Sequence, residues 1–337
     1  MKLIRTCDTE PGFRRRRHGR GFAYFDPDGG RLGAGEHLDR IRSLAIPPAY
    51  DRVWICIPPN GHLQATGHDA RSRKQYRYHP EWQAHRNRVK FDGLLEFARA
   101  LPSIRDGLDS ILARRALDEE TATSLAIAII DRTGARVGNE SYREANGTYG
   151  ITTLAKRHAE LHGRTIELSY KAKHGKQVRL RIDAPALARH LGRCHELPGQ
   201  HLFAYPDDAG EVHPVDSGMV NGMIQRLSRG DFSAKTFRTW RGSLIAFGHL
   251  VGLPDPETQT GRKAHEVDAV RHTAKALGNT PATSRNYYVH PIITSAWMDG
   301  RFEELVAGAR KRRCHSRLRS PVERLFARFL EVTSGQG

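Results

Sequence analysis

Cysteine is scarce in this chain of 337 residues: Cys7, Cys56, Cys194 and Cys314 are far apart and form no C-x-x-C pair. That spacing excludes a disulfide framework and a cysteine-built zinc site, and it suits a reducing compartment. No apolar run is long enough to span a bilayer, and no apolar stretch follows the charged N-terminus as in a secretory signal. These absences predict a soluble protein without a membrane partner, cytoplasmic or nucleoid-associated. A G-x-x-x-x-G-K-[ST] loop is missing, and none of the 18 histidines stands in an H-E-x-x-H pattern. Asp26-Pro27-Asp28-Gly29 resembles the start of a calcium loop but lacks the remaining ligands, so it reads as a turn. Negative charge is in deficit, with 37 Asp plus Glu against 54 Lys plus Arg and a net charge of +17. An excess of this size predicts attraction to a polyanion, most often nucleic acid, and salt-sensitive binding.

What is present divides the chain in two. Residues 1–82 read as a small β-rich N-terminal DNA-binding domain with short helices. Its first 20 residues, containing Arg14-Arg15-Arg16-Arg17, are expected to form a solvated, disordered basic arm. Gly21–Phe25 leads into a turn, and Val53–Ile57 leads through Pro58-Pro59-Asn60-Gly61 into His62–Thr66, a hairpin signal. Residues 90–337 read as a larger, mainly α domain. Asp118–Arg132 is apolar nearly all round, which predicts a buried helix ended by Gly134, with Arg136 in the loop beyond it. Ile166, Leu168 and Tyr170, then Val178, Leu180 and Ile182, alternate with polar residues, so two half-buried strands are expected with Lys173 at the tip of their turn. Helices are expected over Ser217–Leu227, from Ser233 to about Leu250, from Arg262 to about Leu277, and over Pro321–Val332. Thr280-Pro281 reads as the N-cap and first residue of a short helix that carries Tyr288.

A tyrosine on a short helix, two arginines and a lysine in a very basic chain point to cleavage of a phosphodiester strand. A free phenol has a pKa near 10, so only about one in a thousand is ionised at neutral pH, and neighbouring cations favour the phenolate. Arginine suits the non-bridging phosphate oxygens because its planar fork is permanently charged and binds two oxygens at once. Lys235 and Arg238 are three apart on one helix and share a face. Lys173 is the candidate general acid, since an ammonium can give its proton to a departing alkoxide. Asn279 adds a neutral donor. In Arg71-Ser72-Arg73-Lys74-Gln75-Tyr76-Arg77-Tyr78, cations interleave with aromatics, a pattern able to track phosphates while rings and amides meet base edges. An exposed edge strand with half-buried tyrosines would give the same pattern.

Four segments carry a resemblance: Arg136-Val137-Gly138-Asn139-Glu140, Tyr170-Lys171-Ala172-Lys173-His174-Gly175-Lys176, Lys235-Thr236-Phe237-Arg238-Thr239-Trp240, and Asn279-Thr280-Pro281 followed by Ser284-Arg285-Asn286-Tyr287-Tyr288. In order and spacing they resemble the successive catalytic motifs of type IB DNA topoisomerases of the poxvirus-like bacterial branch. The resemblance covers roughly residues 35–310. It implies an α+β protein with a small, mainly β N-terminal domain and a larger, mainly α catalytic domain of the tyrosine recombinase/topoisomerase IB type. That protein would be a monomer forming a C-shaped clamp on duplex DNA. It implies Tyr288 as nucleophile, Arg136, Arg238 and Asn279 around the pentacoordinate phosphate, and Lys173, assisted by Arg136, as proton donor to the 5′-oxygen. It further implies DNA contacts from Lys74, Gln75, Tyr76, Tyr78, Asn139, Tyr142 and Lys235. Supercoils would then relax through a 3′-phosphotyrosyl link, strand rotation and religation, without ATP, metal or other cofactor. Tyr287 stands beside Tyr288, and the family's nine-residue step from the Asn position favours Tyr288. Ala172 stands where the family often has Gly, which keeps Lys171 and Lys176 as alternatives to Lys173. Two other functions fit parts of the pattern: a tyrosine recombinase or integrase, which shares this chemistry, and a non-catalytic basic DNA-binding protein.

Overall fold

A computed structural model describes residues 2–313 and 318–334, so Cys314 lies outside the described residues. The chain divides into two compact units, Met1–Lys90 and Phe91–Gly337.

The first unit is built on a five-stranded sheet in the order β2-β1-β3-β4-β5. Its elements are β1 (Phe13–His18), β2 (Gly21–Phe25), α1 (Glu36–Ser43), β3 (Asp51–Ile55), β4 (Leu63–His68) and β5 (Lys74–Tyr78). Phe13, Ile41, Val53, Ile55 and Ala65 form its small core. The expected disordered arm is corrected here, because Arg14–Arg17 lie within β1 and pair with β2 from Arg14↔Phe25 to Arg17↔Phe22. The period of two is the reason: Phe13 and Arg15 share a face, and Phe13 enters the core. The Arg15 guanidinium is satisfied by the carbonyls of Ile46, Pro47 and Tyr50 and lies 4.1 Å over the Phe22 ring. Arg14, Arg16 and Arg17 remain exposed. The expected hairpin is β3 with β4, joined through Gly61, whose amide donates to the Pro58 carbonyl at 3.2 Å.

The second unit is mainly helical. It takes in the greater part of α2 (Pro80–Leu112), then α3 (Glu119–Thr133) and α4 (Glu140–Asn146). A three-stranded antiparallel sheet follows: β6 (Ala159–His162), β7 (Thr165–Lys171) and β8 (Gln177–Asp183). Next come α5 (Pro185–Glu196), the short pair β9 (Ala204–Pro206) and β10 (Val212–Pro214), α6 (Ser217–Ser228), α7 (Ala234–Val251) and α8 (Gln259–Leu277). The chain closes with α9 (Pro281–Tyr287), α10 (Pro291–Met298), α11 (Phe302–Arg310) and α12 (Pro321–Ser334). α3 is buried continuously from Thr121 to Asp131, as its all-round apolar pattern requires. Asp118 caps its start by accepting from the Thr121 amide at 2.8 Å, and Gly134 ends it at φ 67°. The apolar stripe of α12 enters the same core, where Phe326 and Phe329 meet Phe247. Beneath that contact Arg105 forms paired bonds of 2.9–3.0 Å to both Asp131 and Glu323. Trp240 Nε1 also donates to Glu323 at 2.9 Å. A buried charge hub therefore ties α2, α3, α7 and α12 together.

Candidate active site

The loop after α3 is held by its backbone. The Ile151 amide donates to the Arg136 carbonyl at 2.9 Å, and the Thr152 amide to that of Val137 at 2.7 Å. Glycine is required at this crossing, since a Cβ on Gly150 would sit 2.5 Å from the Gly138 nitrogen and 2.7 Å from the Arg136 oxygen. Asn139 caps α4, accepting from the Tyr142 amide at 2.9 Å. Lys173 occupies the β7–β8 turn, which His174 (φ 64°) and Gly175 (φ 74°) shape, and its Nζ lies 5.6 Å from the centroid of the Tyr142 ring. One turn of α7 presents Lys235 and Arg238. α8 stops at Gly278 (φ 62°), and Thr280 with Pro281 then starts α9, so that Asn279 sits in the link and Tyr288 just past the short helix.

These elements converge on a pocket of about 290 Å³ whose lining includes Arg136, Asn139, Tyr142, Lys173, Lys235, Arg238 and Tyr288. Among the described residues no lining residue is acidic, so the four cations there face one another without a carboxylate. Asn279 joins two of them. Its Oδ1 accepts from Arg136 at 2.6 Å and from Arg238 at 3.1 Å, while its buried Nδ2 has no partner. Asn279 is not itself a lining residue and acts on the pocket through the two guanidiniums it bridges. Arg238 is only 4% exposed and is locked by the carbonyls of Gly134 and Leu277. Burial, then the like charge of Arg136, pulls its guanidinium down to about 10, which leaves it cationic at neutral pH. Its Cζ lies 5.0 Å from the centroid of the Tyr288 ring.

The two adjacent tyrosines are placed differently. Tyr288 lines the pocket, whereas Tyr287 is 45% exposed and does not. α7 grips Tyr288 through its backbone: Ser243 Oγ donates to the Tyr288 carbonyl at 3.1 Å and accepts from the His290 amide at 2.9 Å. Gly242 lets the chains meet, since a Cβ there would lie 2.6 Å from the Tyr288 oxygen. Of the three lysines around the turn, Lys173 lines the pocket. Lys176 instead donates to the Asn279 carbonyl at 2.7 Å, and Lys171 is not among the lining residues. Tyr170 is buried and does not line this pocket; burial pushes its phenol up to about 12, Arg238 and Arg136 drawing it the other way. Sequence reading passed over Ser243 and Gly242, and it held Lys176 only as an alternative to Lys173. A small residue four or five places after Arg238 was the available signal, and only for the first two.

The other expected DNA contacts lie in the first unit, on the edge strand β5. Tyr76 and Tyr78 are exposed, their rings nearly parallel with centroids 6.0 Å apart. Lys74 pairs with Asp8 at 2.7 Å, and Gln75 donates to Asp69 at 3.0 Å. Among the described residues, exposed Glu160 and His162 and half-buried Glu167 have ligand atoms within 4.8 Å of one another, but none of the three lines the pocket. Cys7, Cys56 and Cys194 are free thiols. No described helix is long and apolar enough to cross a membrane.

Comparison with known proteins bears on both units. Residues 79–296 match the family model for the catalytic core of eukaryotic DNA topoisomerase I, and residues 21–69 match that for the N-terminal domain of bacterial DNA topoisomerase IB. The DNA topoisomerase 1B of Acanthamoeba polyphaga mimivirus is 29% identical over 285 residues, covering 82% of this chain and 85% of the viral protein. The DNA topoisomerase 1 of Mycosarcoma maydis is 24% identical over 182 residues, 49% of this chain but only 18% of that protein. Among solved structures, a post-cleavage complex of the XerH site-specific recombinase with palindromic difH substrate gives a TM-score of 0.36 at 17% identity, over 61% of this chain and 51% of the recombinase. With a catalytic-core model spanning most of the second unit and a bacterial N-terminal model falling within the first, the chain belongs to the type IB DNA topoisomerases.

Proposed function

We propose that this topoisomerase opens one strand of duplex DNA with Tyr288 and relaxes supercoils through the resulting 3′-phosphotyrosyl link. One observation carries the assignment: Tyr288 shares a carboxylate-free pocket with Arg136, Lys173, Lys235 and Arg238, and Asn279 bridges the two arginines. The phenol oxygen gives up its proton to water as it attacks phosphorus, and the bond from phosphorus to the 5′-oxygen breaks. Arg136 and Arg238 hold the non-bridging oxygens, whose negative charge builds in the pentacoordinate state. The Nδ2 of Asn279 supplies a further donor, and Lys173 gives its proton to the departing 5′-oxygen. Bond energy is kept in the phosphotyrosyl ester, so the freed 5′ strand can swivel and attack back without ATP.

Asn139, Tyr142 and Lys235 extend contacts along the backbone from the pocket rim. Lys74, Gln75, Tyr76 and Tyr78 add contacts from β5, with exchange of the Lys74–Asp8 and Gln75–Asp69 pairs for DNA. The enzyme acts as a monomer on nucleoid DNA in the cytoplasm. The test is denaturing electrophoresis of protein mixed with labelled plasmid, followed by peptide mapping of the adduct. Detergent should trap protein on the 3′ end through the peptide containing Tyr288, and an adduct elsewhere overturns the assignment. The recombinase alternative is distinguished by joining of two marked duplexes at a defined site, which is not expected.

A further inference from the structure

α9 is only seven residues long, and a helix of that length has little stability of its own. Its ends are held by the Thr280 cap and by Ser243 acting on the Tyr288 carbonyl. The roll of the helix about its axis bears on where the Tyr288 ring points. A third contact acts on the flank. Glu266, in the middle of α8, is 1% exposed and carries the carboxylate that pairs with Arg285 of α9. Arg285 lies one turn before Tyr288, and the Ser284 carbonyl beside it accepts both the Tyr288 and Val289 amides, at 2.9 and 3.0 Å. Lys263, one turn earlier on α8, closes on the same carboxylate at 2.8 Å, so the buried charge is compensated from two sides.

We infer that Glu266 is a positioning residue for strand cleavage, setting the roll of α9 through Arg285 and so aiming the Tyr288 oxygen into the pocket. A carboxylate withdrawn this far from water is expensive to keep unless its geometry matters, and its partner Arg285 stands one turn before Tyr288. The inference rests on Tyr288 being the nucleophile. A competing role, with Arg285 itself gripping a DNA phosphate, predicts the opposite sign for one variant. Removing the Glu266 charge would then release Arg285 to DNA and strengthen binding.

The test is single-turnover cleavage of a short duplex by excess full-length enzyme. DNA affinity is measured separately in the Tyr288→Phe background and folding by thermal unfolding. Glu266→Gln and Arg285→Met should each slow adduct formation by roughly 10- to 100-fold, the scale of a misplacement near 1 Å. DNA affinity should stay within about threefold. The double variant should be no slower than the slower single one, because both remove the same contact. Arg285→Lys, which keeps the charge, should retain more of the rate than Arg285→Met. Arg285 is partly exposed, so its variants report even where Glu266→Gln is poorly folded. Unchanged cleavage rates, multiplicative slowing in the double variant, or affinity that moves together with rate overturns the inference. An adduct that maps away from Tyr288 removes the underlying assignment instead, and peptide mapping separates the two failures.

Discussion

Tyr287 and Tyr288 are chemically equal in the sequence, and their surroundings separate them. Tyr288→Phe should abolish the detergent-stable adduct while Tyr287→Phe retains it, read on a denaturing gel; the reverse pattern would transfer the nucleophile to Tyr287. Asn279 is the second residue where position outweighs type. Asn279→Ala removes both the acceptor between the two guanidiniums and the unpaired donor, and should slow cleavage by about 10²–10³-fold, the usual cost of an oxyanion donor. Lys173→Ala should slow cleavage of ordinary DNA and be restored by a substrate with sulfur at the bridging 5′ position, because a thiolate leaves without a proton. Equal slowing on both substrates would return the general acid to Lys171 or Lys176. Sequence reading assembled these residues from motif order, and for the two tyrosines only the family's nine-residue step after Asn279 favoured Tyr288.

At the scale of elements, α7 holds most of the site on one rigid body. Lys235 and Arg238 face the pocket, and Gly242 and Ser243, one turn on, hold the backbone of Tyr288. Gly242→Ala should therefore lower the cleavage rate by about 10²-fold with DNA affinity unchanged, since the added methyl must displace Tyr288. A matching loss of affinity would count against that view. α12 acts on stability. Burial raises the Glu323 carboxyl, but the bonds from Arg105 outweigh it and hold the group below its ordinary value of 4.5. Because the folded value is the lower one, this stabilisation is complete above pH 4.5 and disappears as pH falls through the folded pKa. Glu323→Gln should cost about 3–5 kcal/mol at neutral pH, as breaking one side of a buried ion pair does. It should also flatten the loss of melting temperature below that pH; an acid limb as steep as in the unchanged protein would show that the hub does not titrate.

For the whole molecule, the charge of +17 matters through the solvent. Binding to duplex DNA should weaken with salt on a log–log slope of about −0.9 for each phosphate neutralised, measured by filter binding or anisotropy. A flat dependence would mean that the basic surface does not carry the affinity. Relaxation of supercoiled plasmid should proceed in chelator without nucleotide, because the phosphotyrosyl ester stores what religation needs. The sheet of the first unit shows the limit of composition as a guide. Four consecutive arginines read as a solvated arm, yet β1 accommodates them by turning Arg15 inward onto carbonyls and leaving Arg14, Arg16 and Arg17 outside.

The amino-acid order alone determined what depends on neighbours along the chain. The buried α3, the β7–β8 hairpin with Lys173 at its turn, the Thr280-Pro281 start of α9 and the excess of positive charge all follow from periodicity, caps and composition acting over a few residues. Tertiary structure decided what depends on distant side chains meeting. Arg136 and Asn279 stand 143 positions apart and share one hydrogen bond; Ser243 reaches 45 positions to the Tyr288 carbonyl. The physical reason is range: backbone propensities act within a turn or two, whereas electrostatics and packing act through space, and only folding brings those partners within reach.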